Sequence, residues 1–87
     1  MFDESTRRVQ AEAESAHMRF NGFNSTHEAL GVLIEEVDEL KAAIHENNIA
    51  NTSHEAMQVS AVALRLYDLC ERAMRGDAEA FKVRSGA

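Results

Sequence analysis

Five oxygen-bearing side chains, Glu35, Glu36, Glu39, Glu55 and Gln58, have the types and spacing to do chemistry. Glu36 and Glu39 stand three residues apart, so on a helix they project from neighbouring turns. Like charges at that spacing repel, and the pair reads either as a solvated acidic face or as a cation site. Glu55 and Gln58 repeat the spacing. At about 100° per residue Glu55 points among Val59, Val62 and Leu66, where a carboxylate must be protonated, paired or metal-bound. It also stands three residues after Thr52, so a capping box at a helix start is the competing account. An antiparallel pair of helices faces Glu36 and Glu39 toward Glu55 and Gln58. Three carboxylates, an amide oxygen and waters suit a hard cation, Mg²⁺ or Mn²⁺.

The elements that must position these groups are helices. Asp3 is placed to cap a first helix over residues 4–20, with Phe2, Val9, Ala13, Ala16 and Phe20 as its apolar seam and Arg7, Arg8, Glu12 and Glu14 toward solvent. Asn21 to Asn24 reads as a loop. Its flanking aromatics, Phe20 and Phe23, either line a base pocket or close the end of the core. Ser25 and Glu28, at capping-box spacing, start a second helix that runs to about His45. Leu30, Leu33, Ile34, Val37, Leu40 and Ile44 form its apolar stripe, with Glu36 and Glu39 toward the edge. Asn47-Asn48 supplies a left-handed stop, and residues 48–51 make a short connection that predicts an antiparallel partner. Thr52 and Glu55 start the third helix, which reaches Arg75 before Gly76. That helix is apolar nearly all round, as befits a bundle centre or, preferentially, a subunit interface. Asp77 is placed to cap a short fourth helix through about Val83.

Composition bounds the rest. Eighty-seven residues, without proline and with one cysteine, make a single all-α domain that cannot be stapled by disulfides. A chain this short buries only roughly 60–65% of its unfolded surface, so assembly into a homodimer or homotetramer is expected to complete the helical bundle. Net charge of −6 disfavours nucleic acid as a partner and repels free nucleotide unless a divalent ion accompanies it. The N-terminus has no apolar signal run, and no stretch reaches membrane-spanning length, so no membrane partner and a reducing cytoplasm are expected. Cys70 fits a buried small hydrophobe. No glycine-rich phosphate loop, zinc-type His/Cys spacing or nucleophilic triad is recognisable.

Glu35-Glu36-x-x-Glu39, fifteen residues, then Glu55-x-x-Gln58 resembles the signature of the MazG-like all-α nucleoside triphosphate pyrophosphohydrolases, Glu-Glu-x-x-Glu followed by Glu-x-x-Asp. His27-Glu28-Ala29-Leu30 is similar to the family's context, and the likeness covers residues 25–72. The resemblance implies Mg²⁺-dependent hydrolysis of a nucleoside triphosphate to the monophosphate and pyrophosphate, serving to cleanse the nucleotide pool. It implies metal held by Glu36, Glu39, Glu55 and Gln58, with Glu35 orienting or deprotonating the attacking water. Arg65 is then a candidate for a phosphate, and Lys82 and Arg84 are candidates to reach a neighbouring subunit's site, with an ordinary surface salt bridge the competing account of all three. Gln58 departs from the family's aspartate. An amide is a neutral, weaker ligand, which leaves two outcomes: a variant enzyme, or a helical module that binds nucleotide or protein without turnover.

Overall fold

The computed structural model describes residues 1–81, three helices in the order α1 (Asp3–Phe20), α2 (Thr26–His45) and α3 (Ile49–Met74), with no strand among them. Each boundary has a local cause. Asp3 is the first residue of α1 and not its cap; Phe2 holds that position without a side-chain bond, and Asp3 and Glu4 instead place negative charge in the first turn. Asn21, at φ 62°, ends α1 by returning its N–H to the His17 carbonyl. Ser25 caps α2 as expected, its Oγ accepting from the Glu28 N–H at 3.1 Å. The reciprocal half of the capping box is replaced, because the Glu28 carboxylate accepts from Asn24 Nδ2 at 2.7 Å.

The turn between α2 and α3 is tighter than residues 48–51. Asn47 takes the left-handed position at φ 56°, and Asn48 caps α3 by accepting from the Asn51 N–H at 3.0 Å. The third helix therefore begins at Ile49 and not at Thr52, and Glu55 lies well inside it. This disposes of the capping-box account of Glu55. At the far end Gly76 adopts φ 92°, and the Asp77 carboxylate accepts from the Glu79 N–H. That bond closes a turn, and residues 77–81 form turns and bends in place of the start of a fourth helix. The remainder of that expected helix, with Lys82 and Arg84, lies outside the described residues.

Packing is organised on α3, which lies against both α1 and α2, while those two make no close approach to each other among the described residues. Alanines at Ala13, Ala16, Ala29, Ala43 and Ala61 bring the helices together, and Phe23, Val62, Leu69 and Ala80 complete the buried set. Phe81 folds back against it. The α1 seam is shorter than expected, for Phe2 and Phe20 are exposed. On α2 the line toward α3 is Ala29, Val32, Leu33, Glu36, Leu40 and Ala43. The expected stripe is thereby split: Leu30, Ile34, Val37 and Ile44 are 44–51% exposed, and Glu36 takes a place in the packing line. The third helix is the bundle's centre, yet it leaves Ile49, Tyr67 and Met74 open.

Candidate metal centre

The antiparallel α2–α3 pair brings Glu36, Glu39 and Glu55 together, one carboxylate oxygen from each lying within 4.8 Å of the others. Two facts of local structure produce this. Glu36 and Glu39 share one flank of α2, and the early start of α3 sets Glu55 opposite them on a regular helix. The cluster is poised against itself. Glu36 Oε2 and Glu55 Oε2 are buried without a hydrogen-bond partner, an arrangement that costs free energy unless something satisfies them. Burial, and then the charges of Glu39 and Glu55, push the Glu36 carboxyl above its ordinary value. Glu39 is raised chiefly by its hydrogen bond to Glu55 and by that residue's charge, with Glu36 and His54 opposing. In the metal-free protein Glu36 and Glu39 thus hold their protons to higher pH than an ordinary carboxyl does.

The donor set fits a hard divalent cation. Octahedral Mg²⁺ at 2.0–2.1 Å from its ligands sets neighbouring oxygens about 3 Å apart, so three carboxylates within 4.8 Å need only a modest contraction. Gln58, half-buried one turn after Glu55, lines the same groove and adds the amide oxygen.

That groove runs between α1, α2 and α3 with a volume of about 560 Å³, within the ~300–1,000 Å³ typical of small-molecule sites. Its acidic end is the Glu36–Glu39–Glu55 cluster. At the other end are Arg65, Phe20 and Phe23. Phe23 is a core residue at 3% exposure, whereas Phe20 is 65% exposed, so the two flanking aromatics divide the roles proposed for them. Among the described residues Arg65 does not form the surface salt bridge expected of it. Its guanidinium lies 4.4 Å from the Phe23 ring centroid and donates from Nη2 to the Asn21 carbonyl at 3.0 Å. Glu35 is exposed and does not line the groove, although its charge reaches Glu36.

Four further charged or titratable groove residues were not among the expected site residues: Glu12, Arg19, Glu28 and His54. Arg19 Nη2 pairs with Glu12 Oε1 at 3.0 Å, and the Arg19 guanidinium lies 5.1 Å from the Phe20 centroid. Glu12, expected to face solvent, is half-buried. The seven-residue interval between Glu12 and Arg19, two helical turns, is the only sequence signal that joins them. Among the described residues no helix is long and apolar enough to cross a membrane. Compared with family models, curated proteins and solved structures, the chain matches none.

Proposed function

We propose that the chain is a Mg²⁺-dependent nucleoside triphosphate pyrophosphohydrolase of the MazG-like kind, releasing pyrophosphate and a nucleoside monophosphate. The observation that carries this reading is the pair of buried, unpartnered oxygens on Glu36 and Glu55, converging with Glu39 in the order of the Glu-Glu-x-x-Glu and Glu-x-x-Gln segments. Glu36, Glu39, Glu55 and Gln58 would hold the ion, Mg²⁺ or Mn²⁺. When bound it would polarise phosphoryl oxygens and offset the charge that develops on them. The chain's own residues supply the rest. The acidic cluster repels free triphosphate, so metal-chelated substrate is favoured at that end of the groove. Arg65, fixed by Asn21 and Phe23, faces the same groove, and exposed Phe20 offers a stacking surface for a base. Glu35, exposed beside the cluster and outside the groove, is the group that the resemblance assigns to take the proton from the attacking water, whose oxygen bonds to phosphorus as the phosphoanhydride breaks and pyrophosphate leaves.

Gln58 favours a second reading, a nucleotide-binding module with a weakened metal site and little turnover. Pyrophosphate release from a panel of ribo- and deoxyribonucleoside triphosphates, with Mg²⁺ or Mn²⁺, separates the two. Release that disappears in Glu39→Gln supports the enzyme. Silence across the panel, with nucleotide still bound in the presence of metal, supports the module.

The same reading includes a homodimer. Leu30, Ile34, Val37 and Ile44 lie on the flank of α2 away from Glu39, and Ile49, Tyr67 and Met74 lie on the flank of α3 away from α1. In an antiparallel pair these flanks point the same way. Together they expose on the order of 700 Å², close to the ~800 Å² per partner of a standard interface. No large side chain among the described residues is fully buried, so one protomer's core is thin and a second copy on this face would thicken it. Free Cys70 suits the reducing cytoplasm, where such a nucleotide-pool enzyme would act.

A further inference from the structure

The end of the groove away from the carboxylate cluster holds two guanidiniums, Arg19 and Arg65, and two carboxylates, Glu12 and Glu28, the latter accepting from Asn24 Nδ2. Glu12 is engaged with Arg19, and among the described residues Arg65 has no carboxylate partner at all. Of the five N–H groups on a guanidinium, Arg65 commits one to the Asn21 carbonyl, and the others meet no acceptor within the described protein. Burial, and then the like charge of Arg19, push the Arg65 guanidinium below its ordinary value, with Glu12 opposing. A partly desolvated cation beside another cation is stabilised by whatever anion reaches it.

Arg65 is also held in place. Phe23 is fixed in the core, and its ring covers one face of the guanidinium. Asn21, whose φ of 62° turns the chain at the end of α1, engages one edge through its carbonyl. The donor fork that remains is ordered before any ligand arrives, which suits bidentate recognition of an oxyanion. Arg65 lies seven residues beyond Gln58, about 10 Å along the helix. One phosphate does not span that interval; an oligophosphate chain does.

We infer that Arg65 and Arg19 form a binding site for a phosphate-type oxyanion, and that Glu12 holds Arg19 in the empty groove as an internal stand-in for that anion. The choice of phosphate rests on the function proposed above; the existence of the site rests on the two arginines alone. Arrival of the anion displaces Glu12 from Arg19, and both guanidiniums close on the ligand. Glu12 therefore weakens anion binding, an effect opposite in sign to that of a residue that helps build the site.

The test is titration of the full-length protein with inorganic pyrophosphate in EDTA at low ionic strength, followed by calorimetry and by the arginine Nε–H resonances. Pyrophosphate is expected to shift the Arg19 and Arg65 resonances. Arg65→Gln is expected to weaken binding at least tenfold, and Arg65→Lys, which keeps charge but loses the fork, does not restore it. Glu12→Gln is expected to tighten binding severalfold. Undiminished binding in Arg65→Gln, or binding in Glu12→Gln no tighter than in the parent, overturns the inference. Should Arg65→Gln fail to fold, Glu12→Gln, a change at a groove-edge side chain, still decides it. Acetate at equal ionic strength is expected to bind more weakly than pyrophosphate; equal binding overturns the assignment to phosphate. No divalent metal is present in any of these measurements, so failure of the metal centre leaves their outcome unchanged.

Discussion

If Glu36, Glu39 and Glu55 form a cation site, they destabilise the protein that lacks the cation, and this gives a test with a distinctive sign. Three carboxylates converge, two with a buried oxygen left unpaired, and the carboxyls of Glu36 and Glu39 are raised. Neutralising one of them, as in Glu39→Gln, removes repulsion and is expected to raise the melting temperature in EDTA. The same substitution deletes a ligand, and is expected to abolish stabilisation by Mg²⁺. A site that half-saturates at about 1 mM gains roughly 1.4 kcal/mol at 10 mM ion. For a domain of this size each kcal/mol shifts the midpoint by about 4–8 °C, so the expected rise is about 6–11 °C. Differential scanning fluorimetry with Mg²⁺, Mn²⁺ and EDTA at constant ionic strength reads both effects. The reasoning is refuted if Glu39→Gln lowers the metal-free midpoint, or if the mutant keeps the parent's response to metal.

The pH dependence follows from the same groups. A carboxyl whose value is raised on folding binds protons more tightly in the native state, so between the ordinary value of 4.5 and the raised values the native protein holds more protons than the unfolded chain. Metal-free stability therefore falls as pH rises through that interval. Glu4, held low by Arg7 and then Arg8, has the opposite effect, but below 4.5. Metal reverses the trend, because its ligands must lose their protons, and the Mg²⁺ shift grows with pH. A midpoint in EDTA that climbs as pH rises just above 4.5 contradicts the assignment.

Gln58→Asp restores a charged ligand, so Mg²⁺ affinity by calorimetry is expected to tighten on the order of tenfold while the metal-free midpoint falls, since an added charge offers Coulomb attraction of ~1–4 kcal/mol at 4 Å. If the apolar flank of α2 and α3 is a dimer face, light scattering at micromolar concentration gives twice 9.7 kDa for the parent and 9.7 kDa for Ile34→Glu; a monomeric parent refutes the dimer. Asn48→Ala is expected to cost about 1 kcal/mol through loss of the α3 cap, and Thr52→Ala, inside the helix, about 0.5 kcal/mol or less. Chemical denaturation of both variants checks the order, which reverses if α3 begins at Thr52.

The features that a reading of the chain anticipates are those fixed within a few residues. Ser25 and Glu28 announce α2, and Asn47 its end, because capping and left-handed turns are settled by neighbours. Thr52-x-x-Glu55 carried the same signal as Ser25-x-x-Glu28 and yet did not start a helix; Asn48 four residues earlier was also competent, and a cap that adds a turn to α3 also adds its hydrogen bonds. The choice of packing face was illegible for a different reason. Periodicity fixes the angles between side chains on α2, but not which arc meets α3. The largest aliphatics, Leu30, Ile34, Val37 and Ile44, suggest one arc, whereas close approach is achieved on the arc of Ala29 and Ala43, against a helix that buries Ala61. That rotation puts Glu36 in the packing line and Glu39 beside the groove, while it turns the aliphatics outward. The two consequences are one event. A rotation that buried the full aliphatic stripe would carry Glu36 and Glu39 away from Glu55, so the exposed apolar flank of α2 is the structural counterpart of the assembled carboxylates. Arg19 and Glu12 show the limit from the other side. Their contact with the groove exists only because α1 packs on α3 opposite the aliphatic flank, a tertiary fact that no spacing within α1 encodes.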